Sequence, residues 1–189
     1  MSADGTERDW LDELDPDGAD LVAAALVRGL APIAPAADGR DRLLRETGSG
    51  RLHHFAERIA RLIDVTVERA RTLLDRAMDA SAWETTVVPG LTTFWVEGGA
   101  AVAGCIRGFI KLEAGHAFPV HKHLGDEKVL VLEGVMLDSS GQVFRPGDFV
   151  PLPAGHEHAY ETVGVLDLLT FAVVREGITI GEMVVRHPD

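Results

Sequence analysis

Gly115-His-Ala-Phe-Pro-Val-His121-Lys-His123-Leu-Gly-Asp-Glu127-Lys-Val-Leu-Val-Leu-Glu-Gly134 is the run on which the reading of the whole chain turns. Two histidines two apart on an extended segment point to the same side of a sheet. Glu127 keeps that parity if the chain returns to strand after Leu124-Gly125-Asp126. A second run answers the first: Gly147-Asp-Phe-Val-Pro-Leu-Pro153-Ala-Gly155-His156-Glu-His158. There a Pro/Gly turn delivers another imidazole. His121, His123, Glu127 and His158 together form a mixed N/O donor set suited to one divalent transition metal. Zinc is the first choice, with iron, manganese or nickel as alternatives. Three neutral imidazoles and one carboxylate leave a bound M²⁺ with a residual charge of about +1, which favours an anionic or oxygen-donor guest. Octahedral coordination would leave two positions open, whereas tetrahedral coordination would close the site.

The two runs resemble the paired motifs of the cupin superfamily. Gly115, His121, His123, Glu127 and Gly134 fit the spacing of the first motif, and Gly147, Pro153, Gly155 and His158 fit the second. Thr162 stands where that family often has Asn. The resemblance implies a double-stranded β-helix, or jelly roll, over residues 83–189, preceded by an α-helical segment within 1–82. It also implies a cavity able to take a small-molecule ligand, and pairing into a homodimer.

A narrower likeness is to the cupin domain attached to zinc-dependent anti-sigma factors of extracytoplasmic-function sigma factors. His121-x-His-x-x-x-Glu127 leading into Val129-Leu-Val-Leu-Glu-Gly134 carries it, as do Phe144-Arg-Pro-Gly-Asp-Phe149 and Leu30-Ala-Pro-Ile-Ala-Pro35. That likeness implies transcription regulation, with residues 1–80 contacting a sigma factor or another regulatory protein. The family's front domain carries a His-x-x-x-Cys-x-x-Cys zinc site, which this chain lacks. A small mononuclear metalloenzyme of the dioxygenase or isomerase kind is the competing implication.

Around the motifs the chain divides in texture. Residues 1–20 hold eight acidic side chains against Arg8 alone, a solvated terminus or an arm for a basic partner. Ala19 to Leu30 reads as a helix, and residues 31–39 as a Pro/Ala linker. Leu52, Phe55, Ile59, Leu62 and Ile63 recur at helical spacing, and Thr66 is placed to cap a second helix bearing Val67, Ala70, Leu73, Leu74 and Ala77. Beyond Trp83 short β runs alternate with turn residues, the pattern of a sandwich or barrel. In the run Ala101–Leu112, alternation puts Val102, Ile106, Ile110 and Leu112 on one face and Cys105, Arg107 and Lys111 on the other. Cys105 then reads as a bystander and the two bases as solvated. His156 is placed beside the metal set or at its rim, Tyr160 in the cavity or the core, and His116 in solvent.

The 189 residues and 46% hydrophobic content support a packed core. A net charge of -12 disfavours nucleic-acid binding. Arg58, Arg61, Arg69, Arg71 and Arg76 do lie in a stretch that resembles a helix-turn-helix, Ala60-x-x-Ile63-Asp-Val-Thr-Val67, but acids are interspersed throughout. One cysteine, no long apolar run and no basic leader point to the cytoplasm, with no membrane segment.

Overall fold

The computed structural model describes residues 50–187, which belong to one compact unit, Leu43–Asp189. The acidic stretch 1–20, the helix expected at 19–30 and the 31–39 linker lie outside the described residues.

A 3-10 turn at His53–Phe55 runs into α1 (Ala56–Ile63). The join to α2 (Val67–Arg76) is made by two local devices. Asp64 adopts a left-handed conformation (φ 55°) and ends α1, and Thr66 Oγ1 accepts from the Arg69 N–H at 3.1 Å to start α2. The join is clamped to the barrel: the Gly99 N–H donates to the Ile63 carbonyl at 2.8 Å and the Ala101 N–H to Asp64 Oδ2 at 3.2 Å. Glycine is required at 99, because a Cβ there would sit 2.1 Å from the Asp64 carbonyl oxygen.

Among the described residues the rest is mainly β structure, in two six-stranded antiparallel sheets. In one, β1 (Glu84–Thr85), β2 (Leu91–Trp95), β3 (Ile106–Leu112), β10 (Leu168–Val174), β5 (Glu127–Glu133) and β8 (Phe149–Leu152) lie in that order. In the other the order is β12 (Met183–Val185), β11 (Ile178–Ile180), β4 (Ala117–His123), β9 (Glu157–Thr162), β6 (Met136–Asp138) and β7 (Val143–Phe144). The fold is mainly β, the cupin jelly roll, with a helical segment ahead of it.

The first sheet is apolar on both faces. Leu91, Leu112, Val129, Val131, Leu168, Ala172 and Val174 face the interior between the sheets. Phe94, Phe109, Leu130, Leu132, Leu169, Phe171 and Val173 face outward and share a core with Leu52, Phe55, Ile59, Ile63, Leu73 and Leu74 of the helical region. The helices' apolar stripe is therefore buried against a sheet, and the basic groups between are partly engaged. Arg58 Nη1 donates to the Gly147 carbonyl at 2.6 Å, and the Arg76 guanidinium lies 5.3 Å over the Phe94 ring.

The structure corrects three expectations: that Arg107 and Lys111 are solvated, that Val102 shares the face of Ile106, and that His116 lies in solvent. Cys105, Arg107 and Lys111 do lie on the face opposite Ile106, Ile110 and Leu112, but the helical layer covers it. Cys105 and Arg107 are buried, and Lys111 Nζ sits 4.9 Å over the Trp83 ring. Val102 belongs to the outer core, because a 3-10 turn at Ala100–Val102 breaks the strand and its parity before Ile106. His116 is half-buried, over Gly90, rather than in solvent.

Candidate metal centre

β4 is where local sequence most shapes the site. Phe118 pairs with Tyr160 and His121 with His158, so the register shifts by a bulge at Pro119-Val120. Proline fits there because it donates nothing to the ladder. The bulge turns Phe118 and His121 to the same side although they are three apart. It also leaves the Pro119 carbonyl free to accept from His121 Nδ1 at 3.0 Å.

His121 faces His158 directly across the β4–β9 pair, and His123 follows on the same side of β4. The rings are close, with centroids 4.5 Å apart for His121–His158, 4.9 Å for His121–His123 and 5.2 Å for His123–His158. All three residues are buried, and each offers a ring nitrogen within 4.8 Å of the others. Glu127 comes from the opposite sheet, at the start of β5. Its Oε2 lies 2.7 Å from His123 Nδ1, without hydrogen-bond alignment.

The tautomers of two imidazoles are fixed from behind. His121 Nδ1 donates to the Pro119 carbonyl, and His158 Nδ1 lies 2.5 Å from Asp138 Oδ2, so both Nε2 atoms are left as acceptors. Among the described residues, His158 Nε2 and both nitrogens of His123 are buried with no hydrogen-bond partner. Orphaned buried nitrogens are costly to leave unmet, and a shared cation satisfies several at once. Burial pushes the His121 imidazole down to about 3, so it stays neutral and available as a ligand near neutral pH.

Asp138 is the group that sequence reasoning missed. It sits on β6, opposite Tyr160, and its carboxylate also accepts from the Ser140 N–H at 2.7 Å. Burial pushes its carboxyl up, but the hydrogen bonds from Ser140 and His158 outweigh that and hold it below its ordinary value. A carboxylate behind a histidine raises the basicity of the far nitrogen and fixes its aim. Asp138→Asn is expected to weaken divalent-metal binding about tenfold with the fold intact, the low end of the usual range because asparagine keeps an acceptor oxygen. Competition against a chelator of known affinity measures it, and an unchanged affinity would reduce Asp138 to a turn residue.

Around the centre, His156 is half-buried, its ring 5.1 Å from that of His158 and its carbonyl accepting the His123 N–H at 2.9 Å. Thr162 is buried and its Oγ1 donates to the Glu113 carbonyl at 3.0 Å, tying β9 to the turn before β4. A cavity of about 190 Å³ adjoins the histidines. Its walls are nearly all apolar, among them Leu91, Ile110, Phe118 and Ile178, and Glu127, His121 and His158 supply its polar end. Tyr160 also lines it; burial, then the charge of Glu127, raises its hydroxyl, which stays protonated.

Among solved structures, the chain resembles the complex of Rhodobacter sphaeroides SigE with the anti-sigma ChrR, at 21% identity. That match covers 82% of this chain and 75% of that chain, with a TM-score of 0.51. An acetylacetone dioxygenase from Acinetobacter johnsonii is 10% identical over 57% of this chain and 81% of its own, with a TM-score of 0.49. A cupin-superfamily sugar phosphate isomerase from Silicibacter pomeroyi is 23% identical over 56% and 81%, with a TM-score of 0.44. No curated protein sequence matches the chain. Among the described residues no helix is long and apolar enough to cross a membrane. The profile of the ChrR cupin-like domain matches residues 76–175, which is more than half of the sequence and contains the three histidines, and the chain belongs to that family.

Proposed function

We propose that this protein is a metal-binding regulatory cupin. His121, His123 and His158 hold one divalent transition ion with Glu127 as the fourth donor, and zinc is the preferred ion. The observation that carries this reading is the convergence of three buried imidazoles, two of them aimed by hydrogen bonds from behind, with the inward Nε2 atoms of His123 and His158 meeting no donor among the described residues. A bound ion supplies a Lewis-acid centre at the polar end of the cavity.

Residues 83–189 form the metal-binding, ligand-responsive part, and residues 1–82 contact a regulatory protein, a sigma factor in the first instance. The likeness to the SigE–ChrR complex supports that choice of partner. The protein acts in the cytoplasm as a homodimer. Elemental analysis of protein purified without added metal tests the centre, and capture of extracytoplasmic-function sigma factors by the full chain tests the partner. Stoichiometric metal with no sigma factor captured would retain the first half of the proposal and discard the second.

The cavity beside the histidines favours a second reading, a small mononuclear metalloenzyme. Turnover that appears with Fe(II) and not with Zn(II) would select it.

A further inference from the structure

A second concavity lies outside the barrel, where α2, the β2–β3 pair and the chain leaving β12 meet. It encloses about 540 Å³, within the range of roughly 300–1,000 Å³ that small-molecule sites occupy. Four arginines line it, Arg69, Arg76, Arg107 and Arg186. Among the described residues the one carboxylate on the lining is Glu97. Such an excess of positive charge stands out in a chain of net charge -12.

Arg107 makes this a built site. The residue is only 7% exposed, and its guanidinium is held in place: Nη1 donates to the carbonyls of Val102 at 3.1 Å and Cys105 at 2.7 Å, and Nη2 to Glu97 Oε2 at 3.1 Å. Its Nε is buried with no acceptor among the described residues. The Glu97 side chain is 87% exposed, and an ion pair with a partner in water compensates a buried cation weakly. Arg76 is steadied by its place over Phe94, while Trp95, 44% exposed and on the opposite face of β2, lines the rim where the cleft meets the barrel cavity. Guanidinium forks match the oxygens of phosphate and carboxylate groups, and the exposed Arg69, Arg76 and Arg186, beside the fixed charge of Arg107 and against one weak counter-charge, suit a multiply charged oxyanion.

We propose that this cleft binds a small phosphate or diphosphate ester, its oxyanion on the arginines and its apolar or aromatic body against Trp95. The site is separate from the histidine centre but shares with the barrel cavity a wall formed by Trp95, Ile106 and Val185.

The test is a titration of the full chain at low salt with pyrophosphate and with ADP, followed by tryptophan fluorescence. Both are expected to saturate, ADP more tightly, with affinity falling as salt rises. The double variant Arg69→Ala/Arg186→Ala should weaken both by at least about tenfold at an unchanged melting temperature, because the lost contacts are charge-assisted hydrogen bonds at exposed positions. Arg71→Ala, exposed on α2 and absent from the lining, should bind as the parent does, and so should His158→Ala. Absence of saturation with either probe at millimolar concentration overturns the proposal, as does equal weakening by Arg71→Ala. Loss of binding in His158→Ala would place the phosphate on the metal centre and also overturn it.

Discussion

The His158→Ala protein is expected to bind a divalent metal more than about 100-fold more weakly than the parent, beyond the roughly 10–100-fold that loss of an outer partner costs. His158 is the imidazole most firmly aimed, with Asp138 behind its Nδ1 and no hydrogen-bond partner for its Nε2 among the described residues. Its removal leaves two imidazoles and a carboxylate, and strands Asp138 without its partner. The clearest readout is thermal. Metal that binds only the folded state raises its stability in proportion to the logarithm of concentration over Kd. The parent should therefore melt higher as zinc is added, and the variant should not respond at sub-millimolar zinc. In metal-free buffer the two should lie much closer together, since the parent then carries orphaned nitrogens of its own. A variant that keeps stoichiometric metal after dialysis would show that the ion sits elsewhere. Glu127→Gln refines the result: a loss as large as that of His158→Ala assigns Glu127 to the ion, whereas about tenfold leaves it as a support for His123.

Phe109→Ala should cost about 3–5 kcal/mol of unfolding free energy, the range for truncating a fully buried aromatic. Phe109 is fully buried on the outer face of β3, stacked on Phe94 with ring centroids 5.6 Å apart and edge-on to Phe171 at 4.8 Å. Truncation opens a void between the helical layer and the sheet, in a place that neither layer can close without moving. Denaturant unfolding should show a lower midpoint at an unchanged slope. Val165→Ala, at a position 92% exposed, is the control and should stay within about 0.5 kcal/mol. A loss below about 1 kcal/mol for Phe109→Ala would mean that the helices do not rest on this sheet as described.

The barrel was legible in the sequence because its signals are local. Gly115, Gly134, Gly147 and Gly155 take positive φ at turns, and the histidines lie two apart on one strand. Even so, the approach of His121 to His158 depends on antiparallel pairing, which no spacing rule supplies from residues alone. Asp138 went unseen for the same reason: it precedes His158 by twenty residues and meets it only across the β6–β9 pair. Alternation in β3 divided its side chains into two sets correctly. It cannot say what covers each face, so Arg107 and Lys111 read as solvated although the helical side of the sheet covers them. The bulge at Pro119-Val120 was equally silent, because a proline in a strand announces an irregularity and not its direction. Thr162 keeps the turn before β4 in place with a hydroxyl, at a position where the motif alone suggested an amide.

Strand β10 lies at the centre of all this. Every residue from Leu168 to Val174 is buried, with Leu169, Phe171 and Val173 turned to the helices and Leu168, Ala172 and Val174 to the barrel. It is a party wall between two rooms, one backbone thick. No occupant of either room can be enlarged without the wall leaning into the other, so a bulkier guest on the barrel side would be felt as pressure where the helices rest.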